Sequence, residues 1–159
     1  MGYRIGIIGP ESTGKTTLAK ELAERYQGIY VPEYAREFVE KKGSTEVTWD
    51  ELCEIAKHQI DQMESSNLSP LTSNLYIYDT ELIVTKVWFD YAFGRWPEWL
   101  DEAIKQYPMD VYVILYPDLP WVPDPARSNG SDEIRMELFK RYKQEVEALG
   151  IEHYLVKHN

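Results

Sequence analysis

Apolar positions along this chain alternate between strand-like runs and helical spacing. Arg4-Ile5-Gly6-Ile7-Ile8 is a short run rich in β-branched residues and bounded by glycine, which predicts a fully buried strand. From Lys15 to Tyr26, Leu18, Leu22 and Tyr26 recur on one helical face among Lys20, Glu21, Glu24 and Arg25, and Gly28 is expected to stop that helix. Ile29-Tyr30-Val31 reads as a second strand, and Glu33 to Lys42 as a helix closed by Gly43. Thr48-Trp49-Asp50-Glu51 is a capping box, opening a helix with Leu52, Ile55, Ala56, Gln59, Ile60 and Met63 on one side. Ser65 to Asn74 is polar and reads as a loop. Leu75 to Tyr78 is a buried strand ending at Asp79; Glu81 to Tyr91 is helical, and a shorter helix runs to Tyr107. Val111 to Leu115 is the clearest strand, Pro117 to Pro125 forbids a regular element, Ser131 to Leu149 is a long helix stopped by Gly150, and His153 to Val156 is the last strand. Strands alternating with helices imply right-handed crossovers and a mostly parallel five-stranded sheet covered on both faces, a three-layer α/β/α arrangement.

Composition narrows this picture. The 159 residues, 43% hydrophobic and 28% charged, suit one domain over 1–159 with a self-sufficient core, and exclude disorder and collagen. Seventeen basic against 27 acidic residues give a charge of −10, which opposes nucleic acid as a partner. Val111 to Leu115 falls far short of the roughly 20 apolar residues a membrane span needs, and the N-terminus has no cleavable signal, so no membrane is involved and a cytoplasmic location is expected. Cys53 has no partner for a disulfide, and His58, His153 and His158 are not in zinc-ligand spacing, so Cys53 is expected to pack as a small apolar residue.

The chemistry enters at Gly9-Pro10-Glu11-Ser12-Thr13-Gly14-Lys15-Thr16, which fits G-x-x-x-x-G-K-[ST] between a predicted strand and a predicted helix. A chance match in such a chain is about half a percent. Glycines let the backbone wrap phosphate oxygens, the helix N-terminus offers positive potential, and Lys15 adds a mobile charge. Gly9, Glu11, Ser12, Thr13, Gly14, Lys15, Thr16 and Thr17 are therefore the candidate nucleotide-binding residues, with Thr16 a ligand for Mg²⁺ and ATP the expected cofactor. No Asn-Lys-x-Asp occurs, which disfavours a GTPase; ABC and AAA+ ATPases are set aside for want of a signature peptide or of a longer chain with a helical lid. A small kinase remains.

Such a kinase needs a carboxylate organising Mg²⁺, a carboxylate receiving the acceptor proton, and cations over the transferring group. Asp79 ends a buried strand and so reaches the carboxyl edge of a parallel sheet where the phosphate loop lies, its plainer reading being a helix N-cap. Glu33 follows the second strand to the same edge, the alternative being a first-turn carboxylate favoured by the helix dipole. Arg36, three residues on, can share its face or form a surface ion pair. Between Arg127 and Lys143 five cations stand against Asp132, Glu133 and Glu137, a locally basic stretch that suggests a lid around 117–135 using Arg127 and Arg135, whereas Lys140, Arg141 and Lys143 read as a solvated helix face.

Read together, the phosphate loop, Glu33-Tyr34-Ala35-Arg36-Glu37-Phe38-Val39, His58-Gln59, Asp79-Thr80, Tyr107-Pro108-Met109-Asp110-Val111 and Trp121-Val122-Pro123-Asp124-Pro125-Ala126-Arg127-Ser128-Asn129-Gly130-Ser131 resemble the ribosylnicotinamide kinase domain of NadR-type proteins. The resemblance spans nearly the whole chain and implies a P-loop NTPase fold. It also implies transfer of the γ-phosphoryl of ATP to the 5′-hydroxyl of nicotinamide riboside, in NAD salvage. It implies phosphate and Mg²⁺ binding at Gly14, Lys15, Thr16 and Asp79, substrate contacts at Glu33, Tyr34, Arg36 and Gln59, a lid using Arg127, and a role beside it for Trp121 and Asp124. NadR-type proteins also carry an adenylyltransferase domain and in some cases a DNA-binding helix-turn-helix; the resemblance here is to the kinase. Where the family has an aromatic residue before the Glu-Tyr pair, this chain has Pro32, and Tyr30, Tyr34, Trp49 and Trp121 are the candidates to supply an aromatic face.

The expected mechanism is in-line transfer from Mg·ATP to a small nucleoside-like acceptor. Lys15 holds the donor, Glu33 receives the proton, with Asp79 the other candidate for that role, and Arg127, with Arg135, neutralises charge on the transferring group. The alternative of another class is a regulatory module in which ATP binding orders Pro117 to Gly130 for a protein partner.

Overall fold

The computed structural model describes residues 3–10, 14–44, 46–68, 75–117 and 132–157. Five strands and six helices follow in the order β1 (Tyr3–Ile8), α1 (Lys15–Arg25), β2 (Ile29–Val31), α2 (Tyr34–Lys42), α3 (Trp49–Leu68), β3 (Leu75–Asp79), α4 (Leu82–Phe93), α5 (Glu98–Gln106), β4 (Val111–Leu115), α6 (Asp132–Leu149) and β5 (His153–Val156). The sheet order is β2-β3-β1-β4-β5 and every pairing is parallel. The expected α/β architecture is therefore present, and the sheet is parallel throughout rather than mostly so. Each strand runs toward one edge, with Ile7 of β1 opposite Asp79 of β3 and Val31 of β2 opposite Tyr78.

Strand alternation splits the core in two. Ile7, Ile77 and Leu115 pack with Ala19 and Ala23 of α1 on one face. Ile8, Tyr76, Tyr78, Tyr112 and Ile114 meet α3, α4, α5 and α6 on the other, through Ile55, Met63, Phe89, Leu100, Leu138, Phe139 and Tyr142. Cys53 is half-buried against this larger cluster, as its apolar reading requires. Among the described residues no helix is long and apolar enough to cross a membrane.

Local chemistry sets the helix boundaries. Thr48 Oγ1 accepts from the Glu51 N–H at 3.1 Å while Glu51 accepts from the Thr48 N–H at 3.0 Å, so the capping box closes in both directions. The helix it opens outruns the expected end: Ser65 to Leu68, read as loop, continue α3. Once a helix is nucleated each further residue adds a bond at small cost, and the first breaker after Met63 is Pro70, which disfavours helical geometry at the residue before it. A second correction concerns Gly28. The left-handed residue that ends α1 is Gln27, φ 55°, while the Gly28 N–H reaches back to the Ala23 carbonyl at 2.8 Å. Gly28 serves a different need, since a Cβ there would sit 3.1 Å from the Leu75 side chain and 3.2 Å from its carbonyl. On α6, Arg141 pairs with Asp90 at 2.8 Å and Lys143 with Glu147 at 3.2 Å, as a solvated, ion-paired face predicts.

Beneath the sheet edge lies a buried polar device. Glu81, 2% exposed, caps α4 by accepting from the Ile83 N–H at 3.0 Å, and the Tyr112 hydroxyl of β4 hydrogen-bonds its carboxyl. Burial pushes the Glu81 carboxyl up to about 7, and burial followed by the neighbouring Glu81 raises the Tyr112 phenol well above its ordinary value. Tyr112 crosses β1 at Gly6, where a Cβ would lie 2.9 Å from Cε1 of the ring and 3.0 Å from Met109 Cγ.

Two expectations follow from this device. Gly6→Ala forces the Tyr112 ring to shift and should cost about 1–3 kcal/mol in urea unfolding; an unchanged midpoint would remove the close-packing argument. For Glu81, a folded pKa above the unfolded one means that its contribution to stability is full below about pH 4.5 and lost as pH rises to about 7. Glu81→Gln should flatten that fall and exceed the wild type above pH 7.5 by roughly 1–3 kcal/mol. Parallel stability curves for the two proteins between pH 5 and 8 would count against a buried, protonated Glu81.

Candidate active site

Three chain segments meet at the carboxyl edge of the sheet. Gly9 and Pro10 are buried just past β1, and Gly14 caps α1 in the left-handed conformation, φ 80°, where a glycine carries no steric cost. Lys15 is the first residue of α1 and 5% exposed, Thr16 follows it half-buried, and Thr17 faces solvent. Glu11, Ser12 and Thr13 lie outside the described residues.

The Lys15 ammonium stands between two carboxylates. It lies 3.4 Å from Glu33 Oε2, 3.5 Å from Glu33 Oε1 and 3.8 Å from Asp79 Oδ1. Glu33 comes from the turn after β2 and Asp79 from the last position of β3, so adjacency of those strands, with β1 beside β3, brings all three together. The plainer reading of Asp79 fails on geometry, while Glu33 stands at the start of α2 as its own plainer reading has it. Glu33 holds the N-cap position of α2 but its side chain makes no capping bond, and the N-cap of α4 is Glu81, not Asp79.

Hydroxyls complete the cluster. Thr16 Oγ1 donates to Asp79 Oδ2 at 2.7 Å, the Tyr30 hydroxyl donates to the same oxygen at 2.8 Å, and Thr80 Oγ1 donates to Glu33 Oε2 at 3.2 Å. Burial first, then the Asp79 charge, raises the Tyr30 phenol above its ordinary value and keeps it a donor. Thr80 has φ 72°, rare for a β-branched residue, and its N–H is bonded to the Ile7 carbonyl at 2.9 Å. Thr80 and the Tyr30 hydroxyl are site residues that the sequence reading did not assign. A threonine gives no sign of positive φ, and the Tyr30 to Asp79 bond depends on β2 lying beside β3.

The remaining candidates fall as follows. Arg36, half-buried on α2, pairs with Glu40 one turn on at 3.1 Å. Gln59 is buried and its Oε1 accepts from Thr85 Oγ1 at 2.6 Å, joining α3 to α4. Tyr34 stacks on His58 with ring centroids 3.6 Å apart and 13° between planes, and also lines a cavity of about 390 Å³ with Glu37, Phe38, Lys41 and Lys42. Trp49 is engaged by Phe89, Phe93 and Arg95, and Tyr34, the residue after Glu33, has one ring face covered by His58. Arg135 is fully buried in the first turn of α6, with its guanidinium 3.3 Å from Asp132. Trp121, Asp124 and Arg127, with most of the expected lid, lie outside the described residues.

The donor set fits a divalent cation on a phosphate. Glu33, Asp79 and Lys15 together carry one net negative charge in a poorly solvated place. Asp79 is fully buried, yet its Oδ1 has no hydrogen-bond partner among the described residues, a cost that proteins seldom leave uncompensated. Thr16 and Asp79, hard oxygen donors, are the residues that would hold Mg²⁺.

Comparison with known proteins places this geometry. A family model described as an AAA domain matches residues 4–159. The trifunctional NAD biosynthesis/regulator protein NadR of Escherichia coli (strain K12) is 27% identical over 136 residues, 84% of this chain and 33% of NadR. The chain thus spans about a third of that relative's length. A crystal structure of NadR protein with NAD and AMP-PNP superposes with a TM-score of 0.78 at 24% identity, covering 99% of this chain and 45% of that one. A NadR structure in complex with NR gives 0.76 at 22% identity, covering 97% and 43%. Thymidylate kinase from Ehrlichia chaffeensis gives 0.65 at 15% identity, covering 99% and 88%, which extends the shared fold to a P-loop kinase. The chain belongs to the AAA-domain family and is related there to NadR, with the fold of the P-loop kinases.

Proposed function

We propose that this protein is an ATP-dependent phosphotransferase acting on a nucleoside-like hydroxyl, with the 5′-hydroxyl of nicotinamide riboside the favoured acceptor. The observation that carries the reading is the convergence of Lys15, Glu33 and Asp79 from three segments onto one buried point. A site that only bound nucleotide would need the lysine and Thr16 but no second carboxylate against the ammonium. Relation to NadR, and the NadR complexes with AMP-PNP and with NR, support the choice of donor and acceptor.

The residues divide the work by their chemistry. Lys15 moves its charge onto the β- and γ-phosphates of ATP, which the loop from Gly9 to Thr17 surrounds. Thr16 and Asp79 hold Mg²⁺, which when bound neutralises charge on the same phosphates. Glu33, released from Lys15 and still held by Thr80, takes the proton of the acceptor hydroxyl as its oxygen bonds to the γ-phosphorus and the bond to the leaving ADP oxygen breaks. Tyr34, with Arg36 and Trp121, borders the acceptor, and Arg127, with Asp124 beside it, is the cation for the transferring group, Arg135 being held inside α6.

The deciding assay is Mg²⁺-dependent ADP release from ATP, alone and with nicotinamide riboside or ordinary nucleosides. Nicotinamide riboside is expected to stimulate release, and Lys15→Ala to lower that stimulated rate by about 10³-fold or more. Stimulation by a different nucleoside reassigns the acceptor; ATP binding without any acceptor-stimulated release replaces the enzyme by the regulatory module. Glu33→Gln is expected to lower kcat by about 10²–10⁴ while leaving ATP affinity within a few-fold, as a proton acceptor requires. If Asp79→Asn shows that pattern and Glu33→Gln does not, the two carboxylates exchange roles.

A further inference from the structure

The two oxygens of Asp79 are not equivalent. Oδ2 accepts two hydroxyl hydrogens, from Thr16 at 2.7 Å and from Tyr30 at 2.8 Å. Oδ1 is equally buried, has no hydrogen-bond partner among the described residues, and has Lys15 Nζ at 3.8 Å. A carboxylate held through one donor can turn about its Cβ–Cγ bond and exchange its oxygens. Two donors converging on one oxygen from different elements fix both the plane and the oxygen that is left open. The second donor comes from a strand rather than from the phosphate loop, and its hydroxyl also meets the Thr16 side chain. Tyr30 lies in β2, on the face packed by α1, with the Lys20 ammonium 5.6 Å from its ring centroid.

We propose that Tyr30 is a positioning residue of the cation site, whose phenol locks the Asp79 carboxylate so that Oδ1 is the oxygen presented to the divalent cation of a bound nucleotide. The inference rests on the reading of this site as one for Mg·ATP. It assigns Tyr30 a task other than offering an aromatic face to the acceptor base. It also predicts a separation: removing the phenol hydroxyl weakens the use of the cation without weakening the binding of nucleotide phosphates, which fall to the loop and Lys15.

The test is nucleotide binding rather than turnover. Fluorescent ATP analogue is titrated into wild type and Tyr30→Phe, first in EDTA and then over a Mg²⁺ series, with Mn²⁺ uptake by the nucleotide complex followed by electron paramagnetic resonance and thermal midpoints recorded alongside. Tyr30→Phe should bind the analogue in EDTA within two-fold of wild type and melt within a few degrees of it. The Mg²⁺ concentration giving half the affinity gain should rise by about 10-fold or more, with a matching loss of Mn²⁺ affinity, the size expected for one hydrogen bond to a charged group. An unchanged Mg²⁺ midpoint overturns the assignment of Tyr30 and leaves the kinase reading standing. Equal losses in EDTA and in Mg²⁺, with a lowered melting midpoint, overturn it in favour of a scaffold role. If wild type gains no affinity from Mg²⁺, both this inference and the Mg·ATP reading fall.

Discussion

Lys15 is 5% exposed, and its ammonium is shared by Glu33 at 3.4 Å and Asp79 at 3.8 Å. None of these charges could be buried alone, since the desolvation of an unpaired ion exceeds what packing returns. Each is tolerable because the other two are present, and each comes from a different segment. The phosphate loop, the turn after β2 and the end of β3 are therefore tied to one point before any ligand arrives.

The rest of the fold brings these segments together. In an all-parallel sheet the strand ends share an edge, and the order β2-β3-β1 puts Glu33, Asp79 and the loop in neighbouring positions. Hydroxyls cross between the neighbours, with Tyr30 of β2 on Asp79 and Thr80 after β3 on Glu33, so each carboxylate is held by the segment that supplies the other. Below this layer, Tyr112 reaches over Gly6 to the carboxyl of Glu81, which caps α4 two residues beyond Asp79. The floor of the site is consequently packed to the limit of a single methyl group.

Much of this was legible in the sequence, for identifiable reasons. The strands were marked by short apolar runs, α3 by a capping box whose hydrogen bonds are both present, and the phosphate loop by a motif with few chance matches. Asp79 and Glu33 could be named because strand ends in a parallel sheet converge whatever the order. What escaped depended on order or on backbone conformation. The Tyr30 bond needs β2 beside β3, α3 runs on through the polar Ser65 to Leu68, and the turn after α1 uses Gln27 where a glycine stood one position away. Gln59 shows the converse, since a polar residue of the right type beside a site is also the type that makes a buried amide bridge.

Thr80 carries a consequence beyond geometry. A β-branched residue at φ 72° holds about 1–3 kcal/mol of backbone strain, and glycine or asparagine would relieve it. Neither would bring a hydroxyl to Glu33 on a side chain of that shape. Fold and chemistry thus want different residues at position 80, and selection for thermal stability alone would be expected to replace this threonine at the expense of the site. Variants recovered from such a selection would report, by what they sacrifice, how strongly the chemistry depends on that one hydroxyl.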